Sequence, residues 1–232
     1  MSASDRPGSL TPLARLGFSR LTGAEALLDE LSDLIDAPRD ALLDGAVDAA
    51  DPEEALHALA RRAGGEPGPV RRARERPPAW RALWALLGAS TGFGEFFFRH
   101  PAEVDQLADA GERLPTPDEL RSELLASIGA VDGFAADGGE SAWVALRVRY
   151  RRMLARIAAY DLLSPAPVDE VAAVSARLAD AAGAALEASL AVARTRVSGG
   201  AVGAGLFPRE QVARTKLAII GMGKTGAREL NY

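Results

Sequence analysis

The stretch SAWVALRVRYRRMLARIAAYDLL, residues 141–163, decides the fold. Trp143, Leu146, Tyr150, Met153, Leu154 and Ile157 recur at intervals of three and four, the spacing that gathers side chains on one face of an α-helix. Pro165 and Pro167 stop this helix, because a proline cannot supply the N–H that the helical ladder needs. Beyond them Val171, Val174, Leu178, Ala182, Leu186, Leu190 and Ala193 mark a second long helix over about 168–196. Its many alanines favour helix and let a neighbour approach closely. Two such helices joined by a short proline-containing turn predict an antiparallel pair.

Working back from this pair, the chain continues to read as helix. Thr116, with Glu119 three residues later, spells a capping box before a helix that starts at Pro117. In residues 79–107, Trp80, Leu83, Trp84 and Leu87 share one face, and Phe93, Phe96 and Phe97 begin the next helix. Gly88, Gly92, Gly94 and Ser90 predict a tight turn between the two. Three consecutive phenylalanines, Phe96–Phe98, cannot all point one way, so at least one is expected to face a neighbouring element. Pro101 opens a short helix ending near Leu107. The run Gly64–Pro69 reads as a break, and RRARERPP at 71–78 as a solvated basic face. Further back, Ala24, Leu27, Leu28, Leu31, Leu34 and Ile35 form one apolar face, Leu42, Leu43 and Val47 another, and Asp51 caps a helix that begins at Pro52. Residues 1–20, rich in Ser, Pro, Gly and Arg, read as a flexible lead-in without the apolar core of a secretory signal.

Composition narrows the function classes. With 27 basic against 32 acidic residues the formal charge is -5, which gives no general reason to expect nucleic acid or an anionic membrane as partner. No stretch approaches the ~18 consecutive apolar residues of a membrane span. Cysteine is absent, which removes disulfides, thiolate chemistry and cysteine-based zinc sites. The two histidines, His57 and His100, stand far apart in sequence and give no metal-ligand spacing.

After residue 197 the character changes. SGGAVGAG at 198–205 is glycine-rich, and Lys216–Ile220 is a short apolar run that reads as a buried strand. It leads directly into GMGKTGARELNY, residues 221–232. Glycines at 221, 223 and 226 let the backbone turn sharply and bring N–H groups near phosphate oxygens, and Lys224 adds a positive charge. The spacing is not that of a P-loop. It does match G-x-G-x-x-G, so the start of a dinucleotide-binding unit competes with other phosphate-binding turns. A second signal is the arginine cluster of the 141–163 helix, where Arg149, Arg152 and Arg156 share a face. That stripe either pairs with local carboxylates or meets an acidic partner, as in a helical protein-binding module.

Several separated segments, in order, resemble the glutamine synthetase adenylyltransferase/adenylyl-removing family. They are LLGASTGFGEFFFRHP (86–101), LRVRYRRMLARIAAYDLL (146–163), LEASLAVAR (186–194) and KLAIIGMGKTGARELNY (216–232). The last is the most specific, and the resemblance is weak over the first 80 residues. It implies that Gly221, Gly223, Lys224 and Gly226 form a nucleotide-binding turn, supported by Arg228, Glu229, Asn231 and Tyr232. It implies magnesium (Mg2+) and ATP or ADP as cofactors of the intact enzyme. It also implies glutamine synthetase and a PII-type signalling protein as partners, and a cytoplasmic location. The family pattern places metal-binding aspartates just after the position of Tyr232, so the expectation is a truncated piece, inactive alone, from the N-terminal, adenylyl-removing half. Thr225, Tyr160 and Glu95 depart from the family's more frequent Leu, Arg and Asp.

The expected fold is mainly α, a helical array over 21–196, then a glycine-containing linker at 197–215, and at 216–232 the first strand of a truncated nucleotidyltransferase-like α/β domain.

Overall fold

A computed structural model describes residues 11–199 and 205–232. The first ten residues of the expected lead-in, and residues 200–204 of the expected linker, lie outside the described residues. The chain divides into two compact units, Met1–Glu112 and Arg113–Tyr232. The elements of the first are α1 (Thr11–Arg15), α2 (Leu21–Ile35), α3 (Arg39–Leu42), η1 (Leu43–Asp48), α4 (Pro52–Gly65), α5 (Pro67–Arg74), α6 (Pro77–Ala89), α7 (Thr91–Arg99) and η2 (Pro101–Leu107), where η marks a 3-10 helix. The second holds α8 (Pro117–Ser127), α9 (Glu140–Leu163), α10 (Pro167–Val197), α11 (Arg209–Arg214) and α12 (Gly223–Ala227).

In the first unit, local chemistry sets most helix starts. The Asp51 side chain accepts from the Glu54 amide at 3.0 Å, and Pro52, whose missing N–H costs nothing at this position, follows it. Ser90 is the single residue between α6 and α7, and its hydroxyl accepts from the Gly92 amide. The turn expected over 88–94 is therefore one residue wide. Gly88 serves a different purpose inside α6, since a Cβ there would lie 2.8 Å from the Ala49 Cβ and from the Asp51 carbonyl. The expected break at 64–69 shrinks in the same way. Only Glu66 separates α4 from α5, because Pro67 sits in the first turn of α5, where its fixed φ suits a helix.

The core of this unit gathers Leu28, Leu31, Leu42, Leu56, Leu59, Leu83, Trp84, Phe97 and Leu107. Leu13 and Phe18, both within the first 20 residues, are also buried. Val47, expected on an apolar face, is 70% exposed, because the chain there winds as a 3-10 turn and rotates it outward. Of the three phenylalanines, Phe96 and Phe97 are buried and Phe98 lies under the Arg61 guanidinium, 4.0 Å from its ring centre. The basic run of α5 is tied down piecewise: Arg72 chelates Asp105, Arg74 meets Asp44, and Arg71 donates to the Leu34 carbonyl.

The second unit is built on α9 and α10. Residues 164–166 fold one back onto the other, and α8 packs across both. Leu120, Leu124, Leu146, Met153, Ile157, Val174 and Leu178 interlock with Ala181, Ala184, Ala188 and Ala191, whose small size allows the close approach. Each fully buried Leu, Ile or Met side chain contributes about 1.5–3 kcal/mol. The capping box of α8 is complete: Thr116 Oγ1 accepts from the Glu119 amide at 3.2 Å, and the Glu119 carboxylate accepts from the Thr116 amide at 2.7 Å.

The strand expected at 216–220 is absent. The described residues contain no strand, only an isolated antiparallel bridge between Val131 and Phe134. Leu217, Ile219 and Ile220 are 60%, 50% and 82% exposed rather than buried. The physical reason is plain: a strand needs a neighbour to receive its N–H and C=O groups, and the described residues offer this segment none. The fold described is mainly α.

Candidate functional site

The segment around the glycine turn lies along the second unit. Met222 is extended, and Gly223, at φ +59°, opens the five-residue α12. Arg228 then adopts the left-handed conformation at φ 58° and closes the helix, donating its amide to the Thr225 carbonyl at 3.2 Å while Glu229 donates to Lys224 at 2.8 Å.

The glycines are not equivalent. A Cβ at Gly226 would lie 2.4 Å from the Gly221 carbonyl oxygen, so the two ends of the turn touch backbone to backbone. Gly223 has nothing within 4 Å of its missing Cβ, and its requirement is conformational, since L side chains rarely adopt that φ. Gly221 has only ordinary contacts, the nearest being Thr225 Cγ2 at 3.4 Å.

Three anchors hold the segment against α9 and α10. Arg228 grips Asp180 of α10 with two parallel hydrogen bonds, 2.7 and 2.9 Å. This contact raises the Arg228 guanidinium above its ordinary pKa. Leu230 packs on the core cluster. Tyr232 interacts with Asp161 of α9 through its hydroxyl, which is pushed above the ordinary tyrosine value by desolvation and by that carboxylate. Within the turn, Lys224 Nζ donates to Asn231 Oδ1 at 3.0 Å, while Glu229 points into solvent.

The structure thus brings Gly221, Gly223, Lys224, Gly226, Arg228 and Asn231 into one exposed turn. The arginine stripe is elsewhere on α9 and occupied: Arg156 and Arg149 share Glu123, at 2.8 and 3.8 Å, and Arg152 is likewise engaged. Arg147 pairs with Glu140. Sequence reasoning missed Asp180 and Asp161. Neither carries a local signal, since Asp180 stands in an alanine-rich helix 48 residues before the arginine it holds. Of the departures from the family pattern, Glu95 pairs with Arg61 and Arg99, and Tyr160 hydrogen-bonds Glu170.

The space over Gly223 is open, and the Lys224 ammonium, hydrogen-bonded to Asn231, belongs to the same turn. A magnesium ion is not matched by the residues present: among those described, no group of three or more His, Asp or Glu is placed to hold a metal. In the first unit His100 lies against Phe96, 5.3 Å between ring centres. No helix among the described residues is long and apolar enough to cross a membrane.

The sequence from α6 through this turn matches a family of adenylyltransferases. The family model described as Glutamate-ammonia ligase adenylyltransferase matches residues 80–232, and the chain belongs to that family. It is 48% identical over 97% of its length to a bifunctional glutamine synthetase adenylyltransferase/adenylyl-removing enzyme of Leifsonia xyli, of which it covers 22%. Proteins of the same description from Corynebacterium diphtheriae and Streptomyces coelicolor are 32% and 33% identical, over 97% and 100% of the chain and 26% and 21% of the relative. The chain thus spans roughly a fifth to a quarter of the length of these curated relatives. No solved structure matches it.

Proposed function

We propose that this chain opens the adenylyl-removing half of an enzyme that adenylylates and deadenylylates a tyrosine of glutamine synthetase, and that the 221–226 turn receives the nucleotide phosphates. The supporting observation is the turn itself: a positive-φ Gly223 beside Lys224, inside the segment matched to the family.

In the removal reaction inorganic phosphate attacks the phosphorus of the tyrosyl-AMP group. A P–O bond to phosphate forms, the P–O bond to the tyrosine oxygen breaks, and ADP and a free tyrosine leave. The part this chain plays is binding and orientation. Gly223 keeps a side chain out of the phosphate path, Gly226 lets the turn close on Gly221, and Lys224, on leaving Asn231, adds a positive charge to the bound oxygens. Magnesium is proposed as a cofactor of the full-length enzyme, held by residues other than those described. Glutamine synthetase is the proposed macromolecular substrate, and a PII-type signalling protein the proposed regulator.

The arginine-helix reading as a protein-binding module is disfavoured, because Glu123 already takes two of the three arginines. A dinucleotide-binding unit is disfavoured by the family match across the same residues.

The test is Gly223→Val in the full-length polypeptide that carries this chain. ADP release from adenylylated glutamine synthetase with phosphate and Mg2+ is measured beside AMP attachment from ATP. Loss of ADP release with attachment retained is the expected result. Loss of attachment alone assigns the chain to the opposite half, and two normal activities remove the site.

A further inference from the structure

We propose that Asp180, on α10, is a positioning residue for the nucleotide turn and acts through Arg228. The inference rests on the nucleotide reading above.

The turn is exposed from Gly221 to Lys224 and has little packing of its own. Its shape depends on two residues at positive φ, Gly223, where glycine adopts it freely, and Arg228, where a long side chain makes it costly. A non-glycine residue in that conformation persists only where its surroundings hold it. Asp180 supplies the hold. Its side chain is only 13% exposed, while that of Arg228 is 54% exposed, so the carboxylate is the fixed member and the arginine the captured one. Arg177, one turn earlier on α10, lies 3.4 Å from the same carboxylate and aligns it. Two parallel hydrogen bonds fix the guanidinium in orientation as well as distance, which a single charge contact does not do.

Arg228 is spent on this grip, so its charge faces the scaffold. Its backbone is what matters to the turn, because the Arg228 and Glu229 amides close α12 onto Thr225 and Lys224. Releasing Asp180 frees that closure and lets Lys224 drift from the position beside Gly223. Asp180 touches no atom that reacts.

The test uses the full-length polypeptide and two readouts: ADP affinity by calorimetry, and the rate of ADP release from adenylylated glutamine synthetase. Asp180→Asn is expected to weaken ADP binding about tenfold, with unchanged circular dichroism and thermal midpoint. Arg228→Ala should do the same, the double variant should be no worse than either single one, and Asp180→Arg with Arg228→Asp should regain most of the affinity. Arg228→Lys, which keeps the charge on an exposed residue and loses the fork, should fall between; it carries the test if an Asp180 variant fails to fold. Wild-type affinity in Asp180→Asn, or fully additive losses in the double variant, would overturn the proposal. Gly223→Val separates the two readings. Lost ADP binding there with Asp180→Asn unaffected removes only the positioning role. Wild-type ADP binding in Gly223→Val removes the nucleotide site and this role with it.

Discussion

Thr195 donates its hydroxyl to the carbonyl of Ala135 across 2.8 Å, in the buried interior, and the Ala135 amide donates in turn to Ala191. Two hydrogen bonds on one residue thus fix the loop between α8 and α9 to the last turns of α10. Thr195→Val keeps the shape and leaves the Ala135 carbonyl buried without that donor. The expected cost is about 1–3 kcal/mol. Urea denaturation of wild type, Thr195→Val and Thr195→Ser checks it, and the serine variant should recover most of the loss.

Gly45 lies against the indole of Trp84, so closely that a Cβ would sit 2.2 Å from a ring carbon. Trp84 is fully buried and has no room to retreat. Gly45→Ala is expected to destabilise the first unit by about 1–3 kcal/mol through overpacking. A thermal or urea midpoint equal to wild type would contradict this geometry.

Glu119 titrates with the fold. The Arg113 guanidinium, and then the Thr116 amide, push its carboxyl from 4.5 down to about 2. The contribution of a depressed carboxyl is complete above the unfolded value and is lost as pH falls through the folded one. The urea midpoint of wild type should therefore exceed that of Glu119→Gln at about pH 6, and the gap should close between pH 4.5 and about 2. The glutamine still reaches the cap amide, so the comparison isolates the charge. Because the pair is exposed, added salt should narrow the gap at neutral pH.

Gly226→Ala should open the 221–226 turn, since its Cβ would press on the Gly221 carbonyl at 2.4 Å. Amide hydrogen exchange over 221–229 should quicken at least several-fold, while α9 and α10 keep their protection. Gly221→Ala, with nothing nearer than 3.4 Å, should change exchange much less. Equal effects from the two substitutions would contradict the geometry.

Much of the helical framework was legible because local signals suffice for it. Asp51 with Pro52, and Thr116 with Glu119, mark helix starts by chemistry that operates within four residues. The period of Leu146, Met153 and Ile157 likewise needs no knowledge of the partner helix. A proline signals both a break and a helix start, and Pro67 takes the second role by opening α5. Lys216–Ile220 failed for a different reason, because a strand is a property of two segments and its own apolar residues cannot supply the second. The turn was visible as a motif. Its anchors were not, since the pairing of Arg228 with Asp180 spans 48 residues and depends on how α10 lies.

The three-residue link between α9 and α10 has a kinetic consequence. Helices joined so closely find each other by a short search, so the pair can form early and quickly. Segment 221–232 must instead close a long loop to reach Asp180 and Asp161, which makes it a late arrival on a finished surface. Substitutions there should alter the rate at which the segment docks or detaches and leave the collapse of the hairpin alone. A turn with two residues at positive φ is therefore expected to dock only after the helical pair has formed.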